Sequence, residues 1–434
     1  MDHLLGLNLQ TLFVNHDHTK LQVESPLLLV IFLFCFYALL TAVSLKRGSK
    51  DAAFSIPQTD QMKGIAILMI LVGHLFGHTL EPCPGLNHLR YLGTVGVTLF
   101  LVLSGYGLSQ SLKRKGIQGF FFLRVARIYI PVFLVMVPEV LLTHTLLTPD
   151  SSMIKDLARI VVNLPAVDRN MWFVQFIFFW YCLIFITFRL KLSDNGKVAV
   201  LFLAALLMLT IPRLSPSMKI NAFSFPLGCW MGFHREAVAA RIQQLVKKKL
   251  FLAALVAAAG ILLSPITFDL SDRLMAPGFR GVGLLVLLCG IGVFGHSFLR
   301  KSRIRFSREL IAVLFVLAVI GPYLIWVFHE ALAGHENMAG WTFGNLASLL
   351  LSLAVILFST MALRFGWYSR FLVYSGRISY EMFLIHGMFM YSFDFILFRG
   401  PLMVTFPVYF AFVCLLSSGI RRLGNRIAAG LVSP

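Results

Sequence analysis

The sequence predicts an all-α fold, a polytopic transmembrane helix bundle of about 11–13 spans, with the N-terminus outside and the C-terminus cytoplasmic. Three observations predict it. The 434 residues are 58% hydrophobic and only 13% charged, where a soluble domain carries about 25%, so most of the surface does not face water. Apolar residues gather in runs near the length that crosses a bilayer, about 20 residues. Finally, 28 of the 38 Lys and Arg fall in one alternating set of loops, the asymmetry that marks the cytoplasmic side. A net charge of +19 in a soluble protein would point to nucleic acid. Here the loop asymmetry accounts for it, and no nucleic-acid partner is expected.

Each span has its own justification. Residues 1–25 are mixed in composition and lack a basic leading segment. The run 26–45, closed by Lys46, Arg47 and Lys50, therefore reads as a retained span and not as a cleaved signal. Next come 63–80, then 93–112, which ends on Lys113-Arg114-Lys115, and 128–147, which opens after Arg124 and Arg127. Span 171–190 starts at Met171-Trp172-Phe173, an ordinary place for an interfacial aromatic. Spans 197–212 and 220–235 are short, each with a proline near one end; if that pair is re-entrant, the orientation survives. The last six are 250–267, 280–299, 310–332, 345–363, 379–398 and 402–420. The basic clusters Lys247-Lys248-Lys249, Arg300-Lys301-Ser302-Arg303 and Arg421-Arg422 suit orientation and contact with anionic membrane lipid. The expected organisation is an N-terminal segment with one span over 1–56, a membrane domain over 57–420 and a short basic tail over 421–434. No loop is long enough for an appended soluble catalytic domain, so any chemistry belongs to the bundle or its faces. Five of six cysteines lie in apolar runs and Cys83 in an outer loop, without CxxC or Cys/His spacing, so they read as packing residues and no metal is expected.

An ionisable side chain inside an apolar span is costly and marks a candidate functional site. His74 lies eleven residues after Lys63, about 16 Å along a helix, which places Lys63 at the boundary and His74 well inside. His78, one turn later, reads as interfacial. His386, in SYEMFLIHG, is similarly buried from the cytoplasmic end of span 379–398. Imidazole is the side chain best suited to proton transfer near neutral pH. Glu139, in mid-span, must be protonated or paired; pairing with His74 would orient the ring, and a local role beside Pro131 and Pro138 is the alternative. Arg124 and Arg127 sit at headgroup level, where guanidinium forks suit phosphate of a lipid or of a nucleotide-like cofactor. Ser104, Gly105 and Gly107 are small residues on one helix, fit for close packing or for a thin substrate chain with Ser104 as donor.

In order, Lys63-x10-His74, Phe100-x3-Ser104-Gly105-Tyr106, Arg124-x2-Arg127-Ile128-x2-Pro131, Met171-Trp172-Phe173 and Ile378-Ser379-Tyr380-Glu381-Met382-Phe383-Leu384-Ile385-His386 resemble the motifs of the acyltransferase 3 family of membrane proteins. The resemblance covers about residues 57–420, and five motifs in order are more specific than any one. It implies transfer of an acyl group, commonly acetyl, from cytoplasmic acyl-CoA to a surface glycan, a lipid-linked sugar or a secondary metabolite, in a bacterial inner membrane. By the same resemblance His74 is the essential histidine, and Arg124 and Arg127 are candidates for the CoA phosphates. Lys63 stands where the family usually has arginine, which removes the bidentate fork at that place. The chain departs further in its extra span 26–45 and in lacking the hydrolase-like domain fused to some members.

The implied chemistry has acyl-CoA docking on Arg124, Arg127 and Lys63, with the thioester near Ser104. His74, paired with Glu139, acts as general base or as acyl carrier, and His386 is either a second proton-transfer group or a structural partner. Three rivals stand beside it: a proton-coupled transporter, the same enzyme with succinyl or longer donors, and a non-catalytic scaffold.

Overall fold

A computed structural model describes residues 25–47, 54–78, 87–147, 152–161, 171–190, 192–247, 338–364 and 366–432, with Leu21 and Val23. The expected spans 250–267, 280–299 and 310–332, with Cys83 and Cys289, lie outside the described residues.

The described residues are mostly helical, with one short ladder. The helices are α1 (Pro26–Val43), α2 (Ile56–Gly77), α3 (Tyr91–Lys115), α4 (Phe120–Leu142), α5 (Met153–Val161), α6 (Met171–Arg189), α7 (Asp194–Thr210), α8 (Pro216–Lys219), α9 (Ser224–Phe233), α10 (Arg235–Lys247), α11 (Met338–Arg364), α12 (Arg370–Arg377), α13 (Ser379–Gly387) and α14 (Leu402–Val432). Among the described residues, α2, α3, α6, α11, α14 and α4 with its π-helical continuation are long and apolar enough to cross a membrane. Phe34 on α1, Leu203 on α7 and Leu415 on α14 keep more than half of their surface open, as lipid-facing side chains do. The other face of each helix joins a continuous core around Trp180, Phe225, Phe406 and Tyr409.

Two contacts set the architecture, and both depend on missing side chains. Helix α9 lies against α3 so closely that a Cβ at Gly105 would run into the Phe225 carbonyl, and one at Gly228 into the Val102 carbonyl. Helix α12 crosses α2 in the same way, with Gly376 against the Asp60 carbonyl and Gly64 against the Leu372 carbonyl. Small residues let helix backbones meet where no hydrophobic force drives them together.

The structure corrects several expected elements. Helix α2 begins at Ile56, with Pro57 in its first turn, and not near residue 63. Its polar opening is buried and satisfied at long range: Gln58 Nε2 donates to Thr360 Oγ1 (2.8 Å) and Gln61 Oε1 accepts from the Ser369 amide (2.5 Å). The expected span 220–235 is the ten-residue α9, too short to cross, held inside the bundle against α3. The expected span 379–398 is broken. Helix α13 stops at Gly387, a π-helical turn runs Met388–Ser392, and the fully buried Asp394 accepts from the amides of Ile396, Leu397 and Phe398. A carboxylate that caps three amides starts a new turn in place of continuing the old helix. Helix α14 runs on to Val432, through the residues expected to be a tail.

The short ladder pairs β1 (Leu45–Arg47) antiparallel with β2 (Trp367–Ser369), Leu45 opposite Ser369. Ser44 Oγ and Ser369 Oγ share a 2.6 Å hydrogen bond beside it. This ties the end of α1 to the start of α12, while Phe36 and Tyr37 of α1 pack edge-on against Phe406 and Phe410 of α14.

Candidate active site

Helices α2 and α13 bring His74 and His386 together from positions 312 residues apart. Nδ1 of His74 is 2.5 Å from Nε2 of His386, and the rings lie nearly parallel, 4.8 Å between centroids. The tautomers follow from the neighbours. Nδ1 of His386 lies 2.7 Å from the Phe383 carbonyl and 3.2 Å from the Met382 carbonyl. Carbonyls only accept, so this nitrogen carries the proton. Nε2 of a neutral His386 is then an acceptor, and Nδ1–H of His74 donates to it. The remaining nitrogen of His74, Nε2, keeps its lone pair. His386 is fully buried, whereas His74 retains partial exposure. The result is a backbone carbonyl that orients one imidazole, which orients a second whose free nitrogen is a base. Tyr409 holds the backbone of this element by donating to the His386 carbonyl at 2.7 Å.

A cavity of about 560 Å³ opens on the same side of α13, toward the basic end of the bundle. Lys63, Arg124, Arg127, Arg377 and Arg421 line it, against two carboxylates, Asp60 and Glu381. Five cations and two anions leave a surplus of three positive charges. The carboxylates are already engaged. Asp60 is 3.5 Å from Lys63 Nζ and 3.4 Å from Arg377 Nε. Glu381 is 3.7 Å from Arg421, whose guanidinium also donates to the Arg377 carbonyl. Arg124 and Arg127 form no ion pair with the described residues, which leaves their forks to the cavity. Arg124 rests over the Phe120 ring at 5.7 Å. Ser104 lines the same wall beside Tyr181. At the inner end the lining turns apolar, with Phe100, Ile177, Phe173 and Phe383.

Thus Lys63, Ser104, Arg124 and Arg127 share one cavity, and His74 and His386 meet next to it. Glu139 does not join them. It is buried on α4, and no hydrogen bond links its carboxylate to either histidine, while Nδ1 of His74 meets His386. His78, expected at the interface, is buried, with its ring 4.8 Å from Tyr391.

Three lining residues, Arg377, Arg421 and Glu381, were not singled out as site residues from the sequence, and each had a signal. Arg377 and Arg421 flank spans at the same expected depth as Arg124. Glu381 is a carboxylate inside an apolar segment, which the test applied to Glu139 would also have found.

No curated protein and no solved structure matches the chain. A family model described as an acyltransferase domain matches residues 56–422, from the first residue of α2 into α14. That stretch holds both histidines and every cation of the cavity, and the chain belongs to the acyltransferase 3 family, an integral membrane acyltransferase.

Proposed function

We propose that the chain moves an acyl group, acetyl in the first instance, from acyl-CoA to a hydroxyl of a cell-surface glycan, a lipid-linked sugar or a similar acceptor. The setting is a bacterial inner membrane with the basic end of the bundle in the cytoplasm. The observation that carries this is the oriented histidine pair beside a cation-rich cavity, with Phe383 touching both. CoA is a polyanion with a long thin arm. Its phosphates suit Arg124 and Arg127, with Lys63, Arg377 and Arg421 adding charge, and its arm would pass Ser104 toward His74.

In the reaction, Nε2 of His74 takes the proton from the acceptor hydroxyl as that oxygen attacks the thioester carbonyl. The C–S bond breaks, the CoA thiolate leaves and takes the proton from the imidazolium, and the products are an ester and free CoA. His386 stabilises the charge that appears on His74 by accepting from Nδ1–H throughout. The apolar bundle keeps water away from the thioester.

The test is CoA thiol release by purified, detergent-solubilised protein given acetyl-CoA and a cell-extract acceptor pool. Wild type is expected to release CoA, and folded His74→Ala to lose about 10²–10⁴ of the rate. Wild-type protein that neither binds nor turns over any acyl-CoA would sink the proposal and bring proton-coupled transport forward.

A further inference from the structure

Neither histidine lines the cavity; Phe173 of α6 and Phe383 of α13 stand in between. Both rings are almost wholly buried, 5% and 2% exposed, and touch with centroids 4.6 Å apart. Phe383 also meets His386, ring centroids 5.7 Å apart. Phe383 thus touches both the cavity and the imidazole pair, with Phe173 packed against it. A methyl group built on Gly93 would rest 3.6 Å from Cδ2 and 3.9 Å from Nε2 of His74, without a clash. Room for at least a methyl group thus adjoins the base.

We propose that Phe173 and Phe383 are specificity-determining residues that select the donor by the size of its acyl group. This rests on the acyl-CoA function proposed above. A donor anchored by its phosphates at the cationic end presents its acyl group last, so the acyl group is the part that meets the two rings. A short group slips past their edges with a small rotation of Phe383. A longer chain must hold both rings open along its length, which disrupts the Phe173–Phe383 contact and the packing against His386. Selectivity arises from what the rings exclude, not from what they bind.

The experiment measures CoA release from acetyl-CoA and from hexanoyl-CoA, side by side, with wild type, Phe173→Leu, Phe173→Ala and Phe383→Leu. One methylene in an apolar pocket changes discrimination by about 10- to 200-fold. The hexanoyl-to-acetyl ratio is therefore expected to rise about tenfold or more in Phe173→Ala, and by less in the two leucine variants. The ratio is internal to each preparation, so a partial loss of folded protein does not move it, and the leucine variants preserve most of the buried volume if the alanine does not fold. Wild-type turnover of acetyl-CoA with an unchanged ratio in folded variants overturns the size-selection role and leaves the acyl-CoA function standing. No turnover of either donor by wild type overturns both.

Discussion

If His74 and His386 act as one unit, as proposed, removing the second histidine has a definite cost. His386→Leu keeps the buried volume near that of the native residue and removes the acceptor of His74 Nδ1–H, now 2.5 Å away. An orphaned donor in a buried site costs about 1–3 kcal/mol. The ring is then free to place its proton on Nε2, the nitrogen that must be bare. If that cost falls on the transition state, the rate of CoA release drops about 5- to 150-fold. His386→Gln differs from the leucine variant in a way the geometry predicts. Its amide oxygen can accept from His74 while its NH₂ group donates to the Phe383 carbonyl that now takes the His386 Nδ1 proton. Gln is therefore expected to recover a substantial part of the loss. The double variant His74→Ala with His386→Leu should be no slower than His74→Ala alone, because an orienter without its base has nothing left to orient. The assay is CoA thiol release normalised to folded protein by size-exclusion chromatography. Losses that multiply in the double variant, or a Gln variant no better than Leu, would refute the coupled pair.

Other outcomes follow from the surrounding structure. Arg124→Lys and Arg127→Lys keep the charge and lose the fork, so each should raise KM for acyl-CoA about tenfold or more with less change in kcat, as read by donor titration. Gly105→Ala would push a methyl group into the Phe225 carbonyl and should cost about 1–3 kcal/mol, seen as a lower thermal midpoint in detergent; an unchanged midpoint would show that α9 moves freely on α3. Asp194 opens α7 and meets Lys113 at 2.7 Å and Lys197 at 3.3 Å. Burial pushes its carboxyl up, but the two ammonium groups outweigh burial and hold it below the usual carboxylate value. A depressed carboxyl adds stability above the unfolded value, about 3.9, and loses it as pH falls through the folded value. Asp194→Asn should therefore lower the thermal midpoint at pH 7 by an amount worth no more than about 1 kcal/mol, because the side chain is partly exposed, and the gap to wild type should close in acid. A gap that is the same at low pH would contradict the charge pairing.

Much of this was legible in the sequence, because lipid imposes a strong rule on composition. Long apolar runs had to be helices, and α3, α4, α6 and α11 fall close to where hydropathy puts them. Two of the misplacements come from polar residues whose role depends on partners that hydropathy does not show. Gln58, Asp60 and Gln61 seemed to precede a span, yet they are the buried first turns of α2, satisfied by Thr360, Arg377 and Ser369. Asp394 broke an apparent span from within by capping three amides. At the site, the residue types could be picked out singly, since a buried histidine or an unpaired arginine is conspicuous in such a composition. Their pairing could not. His74 has two candidate partners in the sequence, Glu139 and His386, and only the crossing of α2 with α13 chooses between them.

The β1–β2 ladder also bears on how the protein is made. Ser44 and Ser369 are 325 residues apart, and the polar opening of α2 looks equally far ahead to Thr360 and Ser369. At a synthesis rate of about 5–20 residues per second, the strand Leu45–Arg47 waits roughly 15–65 s for its partner to emerge. During that interval the first two helices are in the bilayer with unanswered polar groups at their joint. Early helices left waiting in this way are natural clients for an insertase or chaperone that shields them, and truncations ending before Trp367 should be cleared by membrane proteases although most of the helices are already present.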